Sequence, residues 1–133
     1  MIFQLDNTTE FPDPRYGNED GFYAVGGEVT AEMLIKAYPM GIFPYFAFRE
    51  EPIIWWAPQK RFVIFSNEVH VSHSMRNLIN KRRYRCTVNQ AFPDVIAGCA
   101  CTDQRIEEYN AWLGPDLIDT WMDLNEEGYA KSV

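Results

Sequence analysis

Two adjacent tryptophans, Trp55 and Trp56, constrain this chain more than any other feature. They sit in the apolar run Ile53-Ile-Trp-Trp-Ala-Pro58, which reads as a strand. Successive side chains of a strand point to opposite faces, so the two indoles cannot both enter one core. Two further clusters, Gly21-Phe-Tyr-Ala-Val-Gly-Gly-Glu-Val29 and Gly41-Ile-Phe-Pro-Tyr-Phe46, complete a set of three within 38 residues. Glycine and proline punctuate all three. These residues impose special backbone angles and suit loops that present side chains at fixed positions. Flat aromatic surface on constrained backbone is suited to stacking on a base or holding an apolar side chain.

A length of 133 residues allows one domain, or two small lobes sharing a core. No run approaches the roughly 18 apolar residues of a membrane-spanning helix, and no basic, then apolar, leader opens the chain. Three cysteines without framework spacing suggest reduced thiols in a cytoplasmic protein. The net charge of −7 argues against nucleic acid, but its distribution does not. Residues 60–85 carry seven basic side chains and one acidic, whereas both flanks are acidic. Screening lets near bases outweigh distant acids, so this segment is a candidate phosphate site; a solvated helix end and turn explains the charge equally well.

Residues 1–20 show no periodicity and read as a loop-like lead-in. Thr30 is placed to cap a helix whose apolar positions are Met33, Leu34, Ala37 and Tyr38, stopped by Pro39 and Gly41. Gly41 to Phe46 reads as a turn or loop. Ile53 to Trp56, Phe62 to Phe65 and Tyr84 to Val88 read as strands. Ser72 or Ser74 caps a short helix ending near Ile79. Asn89 is an expected cap for a helix with the stripe Phe92, Val95, Ile96 and Cys99. Pro115 opens another, with Leu117, Ile118, Trp121, Met122 and Leu124 inward and Gly128 as its stop. Ala130 to Val133 reads as the start of a strand, as if the chain were truncated. The order is that of an α/β (α+β) fold whose sheet needs further strands.

Few constellations carry chemistry. His70, His73, Cys99 and Cys101 lack zinc-site spacing, so no metal is expected. Ser72 and Ser74 lie near both histidines, but as helix caps. No phosphate-binding glycine motif occurs. The aromatic set is the best functional candidate. Trp112 either staples the next helix or serves a site, while Trp121 belongs by default to the core stripe.

These residues together resemble the leucyl/phenylalanyl-tRNA–protein transferase family. Gly21 to Val29 is similar to its G-L-L-A-x-G-G-D-L stretch. Ala37-Tyr38 followed by Gly41 to Phe46 is similar to A-Y-x-x-G-I-F-P-W-F/Y, and Ile54 to Pro58 to W-W-S-P. His70-Val-Ser-His-Ser-Met75 resembles H-I-S-R-S-M, with His73 in place of arginine. Tyr84 to Asn89 and the helix after it resemble the family's next strand and helix, and Trp112 to Gly128 its T-W-I segment.

The resemblance implies transfer of Leu or Phe, and sometimes Met, from a charged tRNA to the N-terminal Arg or Lys of an acceptor protein. The acceptor is thereby marked for degradation by the N-end rule. Aminoacyl-tRNA is a substrate, and no cofactor is implied. By matched position, Trp112, Trp121 (a family Tyr) and Tyr45 (a family Trp) would hold the 3′-terminal adenosine. Arg76, Lys81, Arg82, Arg83 and Arg85 would meet the tRNA backbone. The implied organisation is an N-terminal α/β lobe over residues 1–61, then residues 62–133 as the first strands and helices of an incomplete acetyltransferase-like (GNAT-like) domain. Catalytic groups are expected beyond Val133, so the chain reads as a transferase fragment inactive alone. A non-catalytic tRNA-binding module is the alternative, and a small interaction domain with aromatics in core and interface a third. An open sheet edge near Val133 would favour self-association.

Overall fold

In the computed structural model the described residues are 2–6, 8, 10–45, 52–100 and 113–133. Four short strands form one mixed sheet: β1 (Phe3–Leu5), β2 (Phe22–Gly26), β3 (Phe43–Pro44) and β4 (Ile54–Trp56). Their spatial order is β1-β2-β4-β3. β1 runs parallel to β2, and the other pairs are antiparallel, with Ala24 opposite Trp55 and Phe43 opposite Trp56.

The adjacent tryptophans divide as strand geometry requires. Trp55 is fully buried, donates its indole N–H to the Gly26 carbonyl at 2.9 Å, and meets Phe11 edge-on at 5.1 Å. Trp56 lies half-buried against Phe22 at 5.7 Å, and its own N–H is buried without a partner. Gly26 enables the close approach of β1. It has φ +92°, and a Cβ there would lie 2.7 Å from the Leu5 carbonyl oxygen.

Among the described residues there are four α-helices: α1 (Ala31–Ala37), α2 (His73–Asn80), α3 (Phe92–Ala100) and α4 (Pro115–Glu126). Thr30 caps α1 by accepting from the Met33 N–H at 3.2 Å, and Ser72 caps α2 by accepting from Met75 at 3.3 Å. α1 buries Met33, Leu34 and Ala37. α4 buries Leu117, Thr120 and Leu124 and packs on both α1 and α3. The Thr120 hydroxyl faces two carbonyl oxygens, Val29 at 3.1 Å and Asp116 at 2.9 Å, so it links α4 to the segment entering α1. One apolar cluster runs from Leu5 through Leu34 and Trp55 to Leu117 and Leu124.

Several expectations are corrected. Residues 1–20 supply a strand, β1, and Phe22–Gly26 is a strand rather than a presenting loop. Strand pairing across the lead-in leaves no local periodicity, and the flanking glycines read as loop. Phe43–Pro44 likewise pairs with β4. Phe62–Phe65 and Tyr84–Val88 form no strand. A strand needs a partner for its backbone groups, and no described segment forms a ladder with either. Their side chains are left outside, with Phe62 97% and Ile64 72% exposed. Asn89 does not cap α3. It adopts φ 53°, and its side chain accepts from Asn125 at 2.6 Å. The α3 stripe is Phe92, Ile96 and Ala100, while Val95 and Cys99 are exposed. Ala130 to Val133 forms no strand, although the Ser132 carbonyl accepts from the Asn89 N–H at 2.7 Å.

Candidate functional site

The α1–α4 contact creates a concavity. It is an apolar cavity of about 240 Å³, lined by Leu34, Ile35, Tyr38, Pro39, Trp121, Leu124, Tyr129 and Ala130. Tyr38 starts the single 3₁₀ turn that ends α1, and Trp121 lies midway along α4. Their rings meet at 5.8 Å with a 47° tilt. Eighty-three residues separate them in the chain, yet both edge the same opening.

The polar atoms of this pair are unusual for an apolar wall. The Trp121 Nε1 is buried and makes no hydrogen bond. Burial pushes the Tyr38 hydroxyl up to about 12, and the neighbouring Trp121 N–H offsets part of that rise. The indole N–H is thus near the phenol oxygen but outside hydrogen-bond geometry. An unmet buried donor is costly, and the cost is recovered when an acceptor arrives.

Tyr45 stands on the other side of the Gly41 turn. Its backbone N–H donates to the Ile54 carbonyl at 3.2 Å, which anchors it beside β4, and the residue is 37% exposed. It does not line the α1–α4 cavity. Trp112, expected at the same site as Tyr45 and Trp121, lies outside the described residues.

The five expected tRNA-backbone cations, Arg76, Lys81, Arg82, Arg83 and Arg85, are all exposed. None forms an ion pair among the described residues. Arg76 lies on α2, and the other four follow its C-terminal end. Arg82 has φ 48°, and the Arg83 guanidinium lies 5.7 Å from the Tyr84 ring centroid. Arg82 also lines a shallow groove with Met75, Leu78, Ile79, Tyr84 and Cys86. This surface therefore combines cations with apolar and aromatic faces, the composition that single-stranded nucleic acid favours.

Among the described residues the histidines and cysteines form no metal-ligating group. His73 is engaged with Asn77 at 3.2 Å, and no group of three metal-ligating side chains occurs among the described residues. Cys101 lies outside them. No described helix is long and apolar enough to cross a membrane. Two residues that sequence reasoning did not place at a site are Tyr38 and Arg61. Tyr38 read as one more apolar position of α1. Arg61 read as one more basic residue, whereas its guanidinium donates to the backbone carbonyls of Pro58 and Gly41.

Residues 63–133 match the family model described as leucyl/phenylalanyl-tRNA protein transferase, and residues 27–59 match the model of that protein's N-terminal domain. The chain is similar to the leucyl/phenylalanyl-tRNA–protein transferase of Anaeromyxobacter sp. (strain Fw109-5), at 39% identity over 98% of this chain and 55% of the relative. It is similar to that of Flavobacterium psychrophilum, at 40% identity over 97% of this chain and 60% of the relative. It is also similar to that of Pectobacterium atrosepticum, at 39% identity over 99% of this chain and 56% of the relative. The chain thus spans little more than half the length of these curated relatives. On these matches, it belongs to the leucyl/phenylalanyl-tRNA–protein transferase family.

Proposed function

We propose that this chain holds the 3′ end of a leucyl- or phenylalanyl-tRNA for transfer of the amino acid to the N-terminal Arg or Lys of an acceptor protein. Such transfer marks the acceptor for degradation by the N-end rule. The observation that carries this reading is the Tyr38–Trp121 wall, two aromatic rings edging an apolar cavity with a buried N–H left unmatched. Adenine offers a flat face for the rings and ring-nitrogen acceptors for the donor. Tyr45 and Trp112 are assigned to the terminal adenosine by their matched positions in the family alone; Tyr45 stands outside the cavity wall, and Trp112 lies outside the described residues. Arg76, Lys81, Arg82, Arg83 and Arg85 neutralise the acceptor-stem phosphates, which gives affinity rather than base selection.

The reaction itself is aminolysis of an ester. The acceptor's α-amino nitrogen attacks the aminoacyl carbonyl, and the terminal ribose oxygen of the tRNA leaves. The ester is already activated, so positioning and proton removal dominate the rate. No carboxylate is among the described residues of the cavity wall, so that wall supplies a grip on the tRNA end and no carboxylate base. Residues 1–61 act as an N-terminal lobe, and residues 62–133 as the opening part of an acetyltransferase-like domain. The exposed Phe62–Phe65 and Tyr84–Val88 segments suit this division, because they have strand composition and no partner strand among the described residues. Cytoplasmic action follows from the tRNA substrate.

The chain covers a little over half of its relatives, which favours a second reading for residues 1–133 taken alone: a tRNA-binding module without activity. One mixture tests both. Labelled phenylalanyl-tRNA and an Arg-starting peptide are added to the chain, and binding and transfer are measured. Binding without transfer is expected, with transfer appearing when the remaining segment of the Flavobacterium psychrophilum relative is supplied. A folded chain that binds no charged tRNA refutes the proposal. Binding that never yields transfer, even with the added segment, leaves only the module.

A further inference from the structure

Arg61 behaves unlike the other cations of the basic segment. Its guanidinium turns back on the chain, with Nε donating to the Pro58 carbonyl at 2.8 Å and Nη2 donating to the Gly41 carbonyl. No carboxylate pairs with it among the described residues. Two backbone oxygens, twenty and three residues away, hold it in place. The planar fork therefore ties the exit of β4 to the turn that follows α1.

Gly41 is shaped for that contact. Its φ of +72° is left-handed, and a Cβ there would lie 2.8 Å from Arg61 Nη1 and 2.9 Å from Nη2. A side chain at this position would oppose both the turn and the clamp. The turn is otherwise stitched by two backbone bonds, Gly41 N–H to Tyr38 at 2.9 Å and Ile42 N–H to Ala37 at 3.0 Å. Ile42 is fully buried, and three residues later Tyr45 is pinned to Ile54 at 3.2 Å. Tyr38 thus precedes the turn and Tyr45 follows it. Whatever sets the turn sets the relation between these two aromatic residues.

We infer that Arg61 is a positioning residue for the tRNA 3′-end site: its fork locks the Gly41 turn and so fixes Tyr38 and Tyr45 relative to each other. This rests on the function proposed above, but the clamp itself is testable without it. It also differs in kind from a phosphate contact. A lysine keeps the charge but loses the fork, so a clamp fails with Arg61→Lys while a phosphate contact largely survives.

The experiment compares Arg61→Ala and Arg61→Lys with the unaltered chain. Amide hydrogen exchange is read at Gly41, Ile42 and Tyr45, with Lys81 and Tyr129 as distant controls. Loss of a charged hydrogen bond predicts exchange about tenfold faster at the three turn amides in both variants, with the controls unchanged. Methylguanidinium should slow it again in Arg61→Ala. Affinity for a short RNA ending in C-C-A, with phenylalanine amide-linked at its 3′ end, should fall about tenfold in both variants with an unchanged salt slope. Unchanged turn exchange overturns the inference. So does a lysine variant that binds as the unaltered chain does, or a reduced salt slope, which would make Arg61 a phosphate ligand. If Arg61→Ala does not fold, Arg61→Lys decides. If the unaltered chain binds no such RNA, the proposed function fails, and the exchange result still judges the clamp.

Discussion

Replacing Trp121 with phenylalanine separates stability from binding, because the unmatched indole N–H penalises one and serves the other. The Trp121 Nε1 is buried with no hydrogen-bond partner. An unsatisfied buried donor costs about 1–3 kcal/mol, and phenylalanine removes it. Against this, phenylalanine is the smaller ring. Losing about 40 Å² of apolar contact at about 25 cal/mol per Å² costs about 1 kcal/mol. The Tyr38 contact at 5.8 Å can persist with a phenyl ring. The two terms leave the folded state unchanged or up to about 2 kcal/mol more stable, whereas an ordinary large-to-small change in a packed site destabilises. Ligand binding moves the other way. A bound adenine acceptor loses its donor, so the affinity for phenylalanyl-tRNA should fall about tenfold. Urea unfolding measures the first quantity and equilibrium binding at one fixed salt concentration the second. A Trp121→Phe chain destabilised by about 2 kcal/mol or more, with unchanged tRNA affinity, would make Trp121 a core residue and refute the reasoning.

Alkaline pH should unfold the chain in a defined window. Burial raises the Tyr23 and Tyr38 hydroxyls to about 12, and the Asp13 carboxylate adds to the rise at Tyr23. The folded state then holds these protons more tightly than the unfolded chain, so the contribution is complete below pH 10 and is lost between about pH 10 and 12. Its size is at most on the order of 2 kcal/mol per group, reduced wherever solvent reaches the hydroxyl. Urea midpoints across that range check it, and Tyr23→Phe, which also loses the 2.6 Å bond to the Pro12 carbonyl, should flatten the decline. Phe62 is 97% exposed and lies in an apolar run, so Phe62→Ser should reduce concentration-dependent association in analytical ultracentrifugation. Its stability should change by less than about 0.5 kcal/mol, and unchanged association would clear this run of the role. Arg82→Ala combined with Arg83→Ala should lower the slope of log affinity against log salt for charged tRNA by about 1.5. An unchanged slope would remove these two side chains from the phosphate contacts.

Local chemistry was legible and long-range pairing was not. Thr30, Ser72 and Pro115 announce their helices because a cap or a first-turn proline acts within one helical turn. Asn89 carries the same kind of signal and misleads. Its side chain is claimed by Asn125, thirty-six residues on. The strands show the reverse case. Phe62–Phe65 has stronger strand composition than Phe3–Leu5, yet only the latter is a strand, because it finds β2 beside it. Of the two described aromatic residues that the family motifs nominated, Trp121 lines the α1–α4 cavity and Tyr45 stands outside it. Tyr38 and Arg61 were not legible, since one looks like a helix stripe residue and the other like surface charge until their partners are known.

The sequence by itself determined the family, the starts of α1, α2 and α4, and the division of Trp55 from Trp56. Each of these depends on residue identity and on spacing along a few bonds. Only the tertiary structure decided that Trp121 would meet Tyr38 at 5.8 Å, that Thr120 would reach Val29, and that Arg61 would hold the Gly41 carbonyl. These contacts join elements separated by 20 to 91 residues. Their formation depends on how the helices pack around one apolar core, which no local pattern records.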